Sequence, residues 1–316
     1  MSTSEWDVIV VGGSAAGLSA ALMLGRARRR VLVIDGGEPR NRFAAHMQGV
    51  LGHDGTDPRQ LASRGRAEAA RYGVEFLDGL VERVEDHGRS LTVATVVGQL
   101  LWSRALIAAT GIDDQLPDVP GLAERWGSSV LHCPYCHGWE VQDRRLGVLG
   151  TVPMGLHQAQ LVRQWSDQVV FFSAAVGELD PSIEARLRRR GVEIVASPVV
   201  EVTGDGDCGL GVRTADGATV AVDALFTVGR PQPRDGFLAG LGLARNETPV
   251  GSFLAVDATG RTSHDRIWAV GNVADPAQNV PMAISSGATA GAVVNMALVN
   301  EDFDHAAAEP AAGARR

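Results

Sequence analysis

The stretch Trp6-Asp7-Val8-Ile9-Val10-Val11-Gly12-Gly13-Ser14-Ala15-Ala16-Gly17 decides the fold. Its first six residues form an apolar run that is too short for a helix and is typical of a buried parallel strand. The glycines follow at once, and an Ala/Leu-rich segment then predicts a helix to about Arg26. A second apolar run, 31–34, ends in Asp35. The chain therefore begins with a βαβ unit.

The glycine turn of this unit has the spacing of a dinucleotide-binding fingerprint. Gly12 permits the tight turn, Gly17 lets helix and strand pack closely, and the helix N-terminus would receive a pyrophosphate. Ser14 occupies the second glycine position, where a small side chain is tolerated. Asp35 follows at roughly the twenty-residue spacing at which an acidic side chain holds ribose hydroxyls. The predicted nucleotide-binding residues here are Gly12, Ser14, Ala15, Ala16, Gly17 and Asp35.

The length and charge of the chain limit the function classes. With 316 residues, of which 45% are hydrophobic, it exceeds one ordinary domain and can build sizeable cores, so we expect two domains. It carries 29 basic and 37 acidic residues, a formal charge of −8. This balance disfavours a polyanionic partner such as nucleic acid.

Cysteine usage and the absence of targeting signals point to the cytoplasm. The chain has three cysteines, two of them in a CxxC, so it has no secreted disulfide framework. We see no signal peptide and no membrane-spanning run in the sequence. The sequence predicts a soluble, cytoplasmic protein with no membrane partner. The third cysteine, Cys208, is expected to be an idle thiol.

The CxxC, Cys133-Pro134-Tyr135-Cys136, predicts a redox-active dithiol. Two cysteines at this spacing can close a small disulfide ring, and a helix beginning at the motif would favour the thiolate. The motif also fits half of a zinc site, but no second cysteine pair or HxxxH completes four ligands, so we expect no metal. A purely structural disulfide is the remaining alternative.

Two further segments resemble the flavoprotein disulfide reductases. Residues 105–111 form a strand ending in Ala-Thr-Gly, and residues 267–275 form a strand that enters a polar turn. The resemblance implies that both lie at a bound FAD and that the helix beginning near Val280 points at the flavin. Asn272 stands where the family usually has Asp, so its contact would be a neutral amide. The cofactor-binding residues implied here are Thr110, Gly111, Gly271, Asn272, Asp275 and Val280.

The layout resembles the low-molecular-weight thioredoxin reductases over nearly the whole chain. This resemblance implies an α/β fold with two Rossmann-like dinucleotide-binding domains. The FAD domain is discontinuous, formed by 1–115 and 242–316, and the inserted region 116–241 resembles an NADPH domain and carries the CxxC. A homodimer is expected from the resemblance alone.

The inserted region repeats the βαβ pattern without its nucleotide contacts. Val152 fills the second glycine position of the turn 150–155, and a β-branched side chain there blocks the close approach of a pyrophosphate. The second strand ends in Ser173-Ala174-Ala175, where the thioredoxin reductases carry basic side chains for the 2′-phosphate. We therefore expect inefficient use of NADPH.

The motif Cys-Pro-Tyr-Cys-His-Gly-Trp-Glu, 133–140, resembles the dithiol oxidases of gliotoxin and holomycin biosynthesis. The resemblance implies that a small-molecule dithiol attacks the disulfide at Cys133, that Cys136 faces the flavin, and that O2 reoxidises the flavin to give hydrogen peroxide. Thiolates attack, so a base that titrates near neutrality is required, and His137 is the first candidate, with a helix N-terminal residue bonded to the backbone as its alternative. His132 is the second, with a surface-facing loop residue as its alternative.

Tyr135 and Trp139 are candidate aromatic walls for a flat substrate, although packing is an equal alternative for Trp139.

Two other functions remain open from the sequence. One is a reductase of thioredoxin or another disulfide, fed by NADPH or by ferredoxin. The other is a non-catalytic flavin or redox-sensing module that signals through the CxxC.

Overall fold

The computed structural model describes residues 6–205 and 209–308, apart from the side chain of Asp205. The chain forms two compact units. The first unit takes the described residues of 1–40, 59–113 and 233–316, and the second takes 41–58 and 114–232. Each unit is described by itself below.

Two segments lie outside the units that the sequence predicts for them. Residues 41–58 belong to the second unit, where Phe43 lies directly against Gly127. Residues 233–241 belong to the first unit, because Phe237 and Leu238 are buried in its core. Neither segment has a strand or helix pattern that would assign it to a unit; the packing of a few apolar side chains does so.

Strands and helices alternate in the two βαβ segments, and runs of consecutive strands make up much of the remainder. Up to residue 115 they are β1 (Trp6–Val11), α1 (Ala15–Arg26), β2 (Val31–Asp35), α2 (Pro58–Ala70), β3 (Glu75–Asp78), β4 (Val81–Asp86), β5 (Leu91–Thr95), β6 (Leu100–Ala108) and β7 (Ile112–Gln115). The next are β8 (Val130–Leu131), α3 (Pro134–His137), β9 (Leu146–Leu149), α4 (Met154–Val162), β10 (Val169–Phe172), α5 (Pro181–Arg189) and β11 (Val192–Val195). The remainder are β12 (Val199–Asp205), β13 (Gly209–Thr214), β14 (Thr219–Val222), β15 (Ala224–Thr227), β16 (Arg230–Pro233), β17 (Arg245–Thr248), β18 (Gly251–Leu254), β19 (Ile267–Ala269) and α6 (Val280–Ala308).

A mixed sheet forms the core of the first unit. Its strands follow the order β3-β2-β1-β6-β5-β4, and β19 pairs with the second half of β6. β1 runs parallel to both β2 and β6, with Val10 opposite Val33 and Ile107. Apolar side chains cover both faces of this strand, which is why its sequence is continuously apolar and not alternating.

Helix α6 packs along α1 on one face of that sheet. A Cβ atom on Gly287 would collide with the backbone of Ala16, and one on Gly291 would lie 2.7 Å from the Ala20 carbonyl oxygen. Glycine at both positions therefore allows the two helix backbones to approach each other. The buried residues of α6 are Gly287, Ala290, Gly291, Val294 and Leu298.

By length and composition α6 could cross a membrane, although the sequence suggested no such run. One such helix is weak evidence for a membrane span, because the core helix of a soluble protein passes the same test. Its small residues pack against α1, and Arg29 on the α1 side bonds to Asn295. These contacts are those of a core helix.

The second unit contains a parallel sheet and an antiparallel one. The parallel sheet has the order β11-β10-β9-β15-β8, and the antiparallel sheet has the order β12-β13-β14. β9, α4 and β10 form a βαβ unit, in which β9 and β10 run parallel with Val148 opposite Phe171. Two Rossmann-like sheets in one chain confirm the predicted α/β fold class.

A cluster of charges joins the start of β1 to the end of α6. Arg104 on β6 lies at its centre, within 3.1 Å of Asp7, 3.0 Å of Glu301 and 2.6 Å of Asp302. Burial raises the pKa of Glu301, but hydrogen bonds from Arg266 and Arg104 outweigh this and hold the pKa below its usual value. The Arg104 side chain is only 21% exposed, so these ion pairs are weakly screened by solvent.

We expect Arg104→Met to lower the free energy of unfolding by about 1–3 kcal/mol, because it leaves two partly buried carboxylates, Asp7 and Glu301, and the exposed Asp302 without their shared partner. The measurement is the urea midpoint. Arg83→Met is the matched control, since Arg83 pairs with Glu85 at an exposed site, and it should leave the midpoint within error.

The same comparison has a defined pH dependence. Because the pKa of Glu301 is lowered on folding, its contribution is complete above the ordinary carboxyl pKa of 4.5 and is lost as the pH falls through the lowered value. The difference between wild type and Arg104→Met should therefore shrink in acid. Equal midpoints for wild type and Arg104→Met at pH 7 would contradict this account.

Candidate functional site

The glycine turn between β1 and α1 leaves room for a ligand at the N-terminus of α1. Gly12 has a φ of +109°, and a Cβ atom there would collide with the Ala109 carbonyl oxygen. A Cβ on Gly17 would collide with the Gly12 carbonyl oxygen. Ser14 precedes the helix as its N-cap and makes no side-chain capping bond. The turn therefore has the shape that the fingerprint predicts, with the first amides of α1 beside it.

Asp35 ends β2 next to this turn. Its carboxylate accepts a hydrogen bond of 3.0 Å from the Gly13 amide, and both residues line one groove. The groove also contains two charged residues that the sequence did not predict, Glu38 and Arg59. Arg59 lies at the start of α2, and no motif marks it. The groove is lined by Gly12, Gly13, Ser14, Asp35, Gly37, Glu38, Pro39, Arg59, Ala62, Ala109 and Thr110.

Thr110 lies at the same groove, at the turn that follows β6. Its hydroxyl donates a 2.7 Å hydrogen bond to the Arg234 carbonyl oxygen, which ties the turn to a later segment of the first unit. Gly111 follows with a φ of +71°, a conformation that favours glycine. The predicted roles of both residues are compatible with this placement, and the hydroxyl of Thr110 has a structural partner as well.

The polar turn after β19 is organised by Asn272. Its amide nitrogen donates to the carbonyl oxygens of Asp275, Pro276 and Gln278, at 3.1, 3.3 and 2.8 Å. A carboxylate at this position has no proton to donate to those carbonyls. The structure thus gives a local reason for Asn in place of the Asp usual in the family, which the sequence treated only as a cofactor contact.

This turn meets the first glycine turn through small residues. Gly271 has a φ of +69°, and a Cβ on it would lie 3.0 Å from the Cβ of Ala16. Ser286 on α6 receives a bond from the Gly271 amide and donates to Gln278. Val280 begins α6 directly after the turn. The two predicted groups of cofactor residues therefore lie in one unit and meet at Ala16.

The residues present fit a dinucleotide such as FAD. Glycines leave the cradle open, a helix N-terminus offers amides to phosphates, Asp35 can accept ribose hydroxyls, and Arg59 adds a cation. When bound, FAD would supply two-electron redox chemistry that no amino-acid side chain provides.

The second unit keeps the shape of a nucleotide turn without its contacts. Gly150 and Gly155 approach so closely that a Cβ on Gly155 would lie 2.6 Å from the Gly150 Cα. Val152 stands between them, and its carbonyl accepts from the Gly155 amide at 2.8 Å. Ser173 is buried after β10, followed by Ala174 and Ala175. No cation stands at 173–175, so the residues of this turn do not fit NADPH.

The cysteines of the CxxC form a disulfide, with their Cα atoms 5.2 Å apart. Cys133 caps α3, and its carbonyl accepts from the amides of Cys136 and His137, each at 3.1 Å. The sequence predicted a helix beginning at the motif, and this helix is a single turn, so local amides and not a macrodipole surround the sulfurs. Within the described ranges no cluster of three His, Cys, Asp or Glu side chains could hold a metal. Cys208 lies outside the described residues.

His137 is half-buried at the end of α3. Burial lowers its pKa below 6.5, and the nearby Glu140 carboxylate opposes this effect only in part. The imidazole is therefore neutral at pH 7, which is the form that can accept a proton from a thiol.

His132 is half-buried as well, not a surface-facing loop residue. Its ring lies edge-on to Trp126, with centroids 6.2 Å apart. The carbonyl of His132 accepts a 2.7 Å hydrogen bond from the side chain of Gln158 on α4. Gln158 was missed from the sequence, although it lies 4% exposed and holds the residue directly before Cys133. A glutamine within an apolar helix gives no signal of this kind without the tertiary structure.

The whole chain resembles known flavin-dependent disulfide reductases. Residues 6–291 match the family model described as pyridine nucleotide-disulphide oxidoreductase. Thioredoxin reductase tcpT of Claviceps purpurea is 32% identical over 314 residues, covering 95% of this chain and 96% of that protein. The crystal structure of HlmI superimposes with a TM-score of 0.91 at 45% identity, covering 96% of this chain and 95% of that one. An oxidoreductase from Agrobacterium tumefaciens superimposes with a TM-score of 0.89 at 38% identity, covering 94% and 99%.

These similarities confirm the resemblance to thioredoxin reductases that the sequence indicated, and they confirm that the protein is an enzyme. The family binds FAD, in agreement with the groove at Gly12 and Asp35. The CxxC disulfide, Cys133–Cys136, is the redox pair expected of such a flavoenzyme. The chain belongs to the pyridine nucleotide-disulphide oxidoreductase family, as a thioredoxin-reductase-like flavin enzyme.

Proposed function

We propose that this protein is an FAD-dependent oxidase that converts a small-molecule dithiol to an intramolecular disulfide, with O2 as the electron acceptor. The proposal rests on three observations made together. The CxxC is oxidised, His137 is neutral, and the second nucleotide turn has no cation. A disulfide enzyme without an efficient nicotinamide site can take its electrons from a thiol substrate. The resemblance of residues 133–140 to dithiol oxidases supports the same direction.

The reaction begins with two thiols and one disulfide. A substrate thiolate attacks the sulfur of Cys133, the Cys133–Cys136 bond breaks, and Cys136 leaves as a thiolate. The second substrate thiolate then attacks the substrate sulfur of the mixed disulfide and releases Cys133. The products are a cyclic disulfide and a reduced CxxC. The groove at Gly12 and Asp35 would hold FAD, whose two-electron chemistry would couple the reduced CxxC to O2 and give hydrogen peroxide.

His137 acts as the proton acceptor in these reaction steps. A substrate thiol with a pKa of about 8.5 is mostly protonated at pH 7, so a neutral imidazole that accepts its proton raises the thiolate fraction. Two protons leave the dithiol in each turnover, and Cys136 gains negative charge as it leaves. An imidazolium formed at His137 would stabilise that charge.

A thioredoxin or other disulfide reductase is the alternative. Preservation of the close Gly150–Gly155 approach in the second unit favours it, since this geometry serves nucleotide binding in dinucleotide folds. Its electrons would come from NADPH or from ferredoxin. The small-molecule dithiol, the O2 acceptor, the homodimer and the cytoplasmic location remain proposals from the sequence.

The first prediction concerns FAD. We expect the purified protein to be yellow, with one non-covalent FAD per chain, and Asp35→Ala to weaken FAD binding about ten- to a hundredfold, because hydrogen bonds to a carboxylate are lost. The measurement is a fluorescence titration of the apoprotein. Asp78→Ala is the control, since Asp78 ends the neighbouring strand β3 with its side chain 81% exposed. A protein that takes up no FAD on reconstitution would end the proposal.

The second prediction concerns NADPH. Anaerobic flavin reduction by NADPH should be slow, because Val152 crowds the turn and no cation meets the 2′-phosphate. Val152→Gly combined with Ala174→Arg and Ala175→Arg should raise the stopped-flow rate. NADH is the internal control: the arginines should favour NADPH over NADH, because only NADPH carries the phosphate. Rapid bleaching of the wild-type flavin by micromolar NADPH would instead support the reductase.

The third prediction concerns His137. His137→Ala should lower dithiol-driven peroxide formation at pH 7 on the order of a hundredfold, with partial recovery at higher pH where substrate thiols ionise unaided. Since the pKa of His137 is lowered, wild-type activity should begin to fall only below pH 6.5, whereas the activity of the variant should already fall below the pKa of the substrate thiol.

Two reference variants make this result interpretable. Cys133→Ser should abolish turnover, because a single cysteine cannot form the disulfide. His157→Ala, an exposed histidine on α4, should retain wild-type turnover. Wild-type rates for His137→Ala at pH 7 would remove the histidine from the mechanism and make His132 the next base to test.

A further inference from the structure

Two large aromatic side chains beside the disulfide are left in water. Tyr135, between the two cysteines, is 74% exposed, and Trp139, three residues beyond Cys136, is 71% exposed. Their neighbours Pro134 and Gly138 are buried. Single exposed apolar side chains are ordinary on protein surfaces, but two exposed rings four residues apart, both next to a reactive disulfide, indicate a ligand surface.

The Tyr135 ring is held in place before any ligand arrives. It lies edge-on to Trp165, with centroids 5.6 Å apart and the planes at 89°. Trp165 in turn lies against Gly138, where an added Cβ would be 2.7 Å from the indole ring. A larger residue at 138 would displace the indole that supports Tyr135. The ring is therefore preorganised, which lowers the entropy cost of binding a ligand to it.

The charge and the size of this surface indicate which kind of ligand it binds. Residues 132–140 carry one formal charge, that of Glu140, so they offer no cation to an anionic ligand. A docked protein needs some 20–30 residues on each side, whereas two rings beside one disulfide match the contact of a small molecule. A substrate that reacts at Cys133 must come within bonding distance of the Cys133 sulfur. Only Pro134 separates Cys133 from Tyr135 in the sequence.

We propose that Tyr135 and Trp139 form a stacking platform that selects planar aromatic dithiols as substrates. This inference rests on the proposed dithiol oxidation and names the substrate class for it. A flat ring system stacks on the exposed rings and brings its two thiols to the disulfide. The substrate loses two electrons and two protons to become a cyclic disulfide, and the Cys133–Cys136 bond is reduced to two thiols.

The test compares naphthalene-1,8-dithiol, which is planar and closes to a cyclic disulfide, with dithiothreitol, which is aliphatic. The measurement is KM from peroxide formation for each. In Tyr135→Ala and in Trp139→Ala the ratio of KM for the naphthalene over KM for dithiothreitol should rise about three- to tenfold, the range expected for one lost aromatic pair. Tyr135→Phe should restore the wild-type ratio, because the ring and not the hydroxyl provides the platform.

Phe303→Ala is the matched control, because Phe303 on α6 is equally exposed at 74% and belongs to the other unit. Its KM ratio should equal that of the wild type. An unchanged ratio in both ring variants would overturn the platform. A rise in KM for reduced thioredoxin without a change in the ratio would also overturn it and assign the rings to protein docking.

A binding measurement separates this inference from the proposed function. The cyclic disulfide of naphthalene-1,8-dithiol is titrated into the oxidised holoprotein by calorimetry, which needs no turnover. Weaker binding to Tyr135→Ala than to Phe303→Ala supports the platform even if no dithiol drives peroxide formation, in which case only the oxidase fails. Equal binding to wild type and both ring variants contradicts the platform even if the oxidase is correct.

Discussion

The close approach of backbones around Ala16 is the constraint on which the first unit depends. The glycine turn at Gly12 and Gly17 holds β1 against α1, and Gly287 brings α6 against the same helix. Gly271 places the second cofactor turn on Ala16. A Cβ atom on Gly17 or Gly287 would collide with backbone, and one on Gly271 would be tight against Ala16, so small residues recur in segments far apart in sequence. The nucleotide groove is a consequence of this packing, because the open turn and the helix amides exist only while the backbones stay this close.

The two βαβ turns show how one fold can keep its shape and change its chemistry. Both have a close glycine pair, which packs the helix on the strand and also gives the turn the shape that dinucleotide folds use. Only the first has an acidic side chain at the groove and a nearby cation, whereas the second has Val152 and small uncharged residues. Packing and ligand contact therefore place separate demands on the same short segment. The oxidised CxxC lies in the second unit, which makes its electron source the central question for function.

Much of the fold and part of the site were predictable from local pattern. Continuous apolar runs identified β1, β2 and β9, and the glycine spacing identified both turns. The placement of 41–58 and 233–241 was not predictable, since it depends on Phe43, Phe237 and Leu238 finding distant partners. Gln158 and Arg59 were missed for a similar reason, because a polar or basic residue in a helix has the same appearance in sequence whether or not it reaches a site.

The sequence by itself determined the α/β class, the dinucleotide turn, the CxxC and the histidine that follows it, because each is encoded by residues close together in the chain. Only the tertiary structure decided that the Asn272 amide holds its own turn, that burial lowers the pKa of His137, and that Tyr135 is fixed by Trp165 while remaining in water. Hydrogen-bond direction, burial and ring contact depend on residues brought together from separate segments. No local pattern in the chain records them.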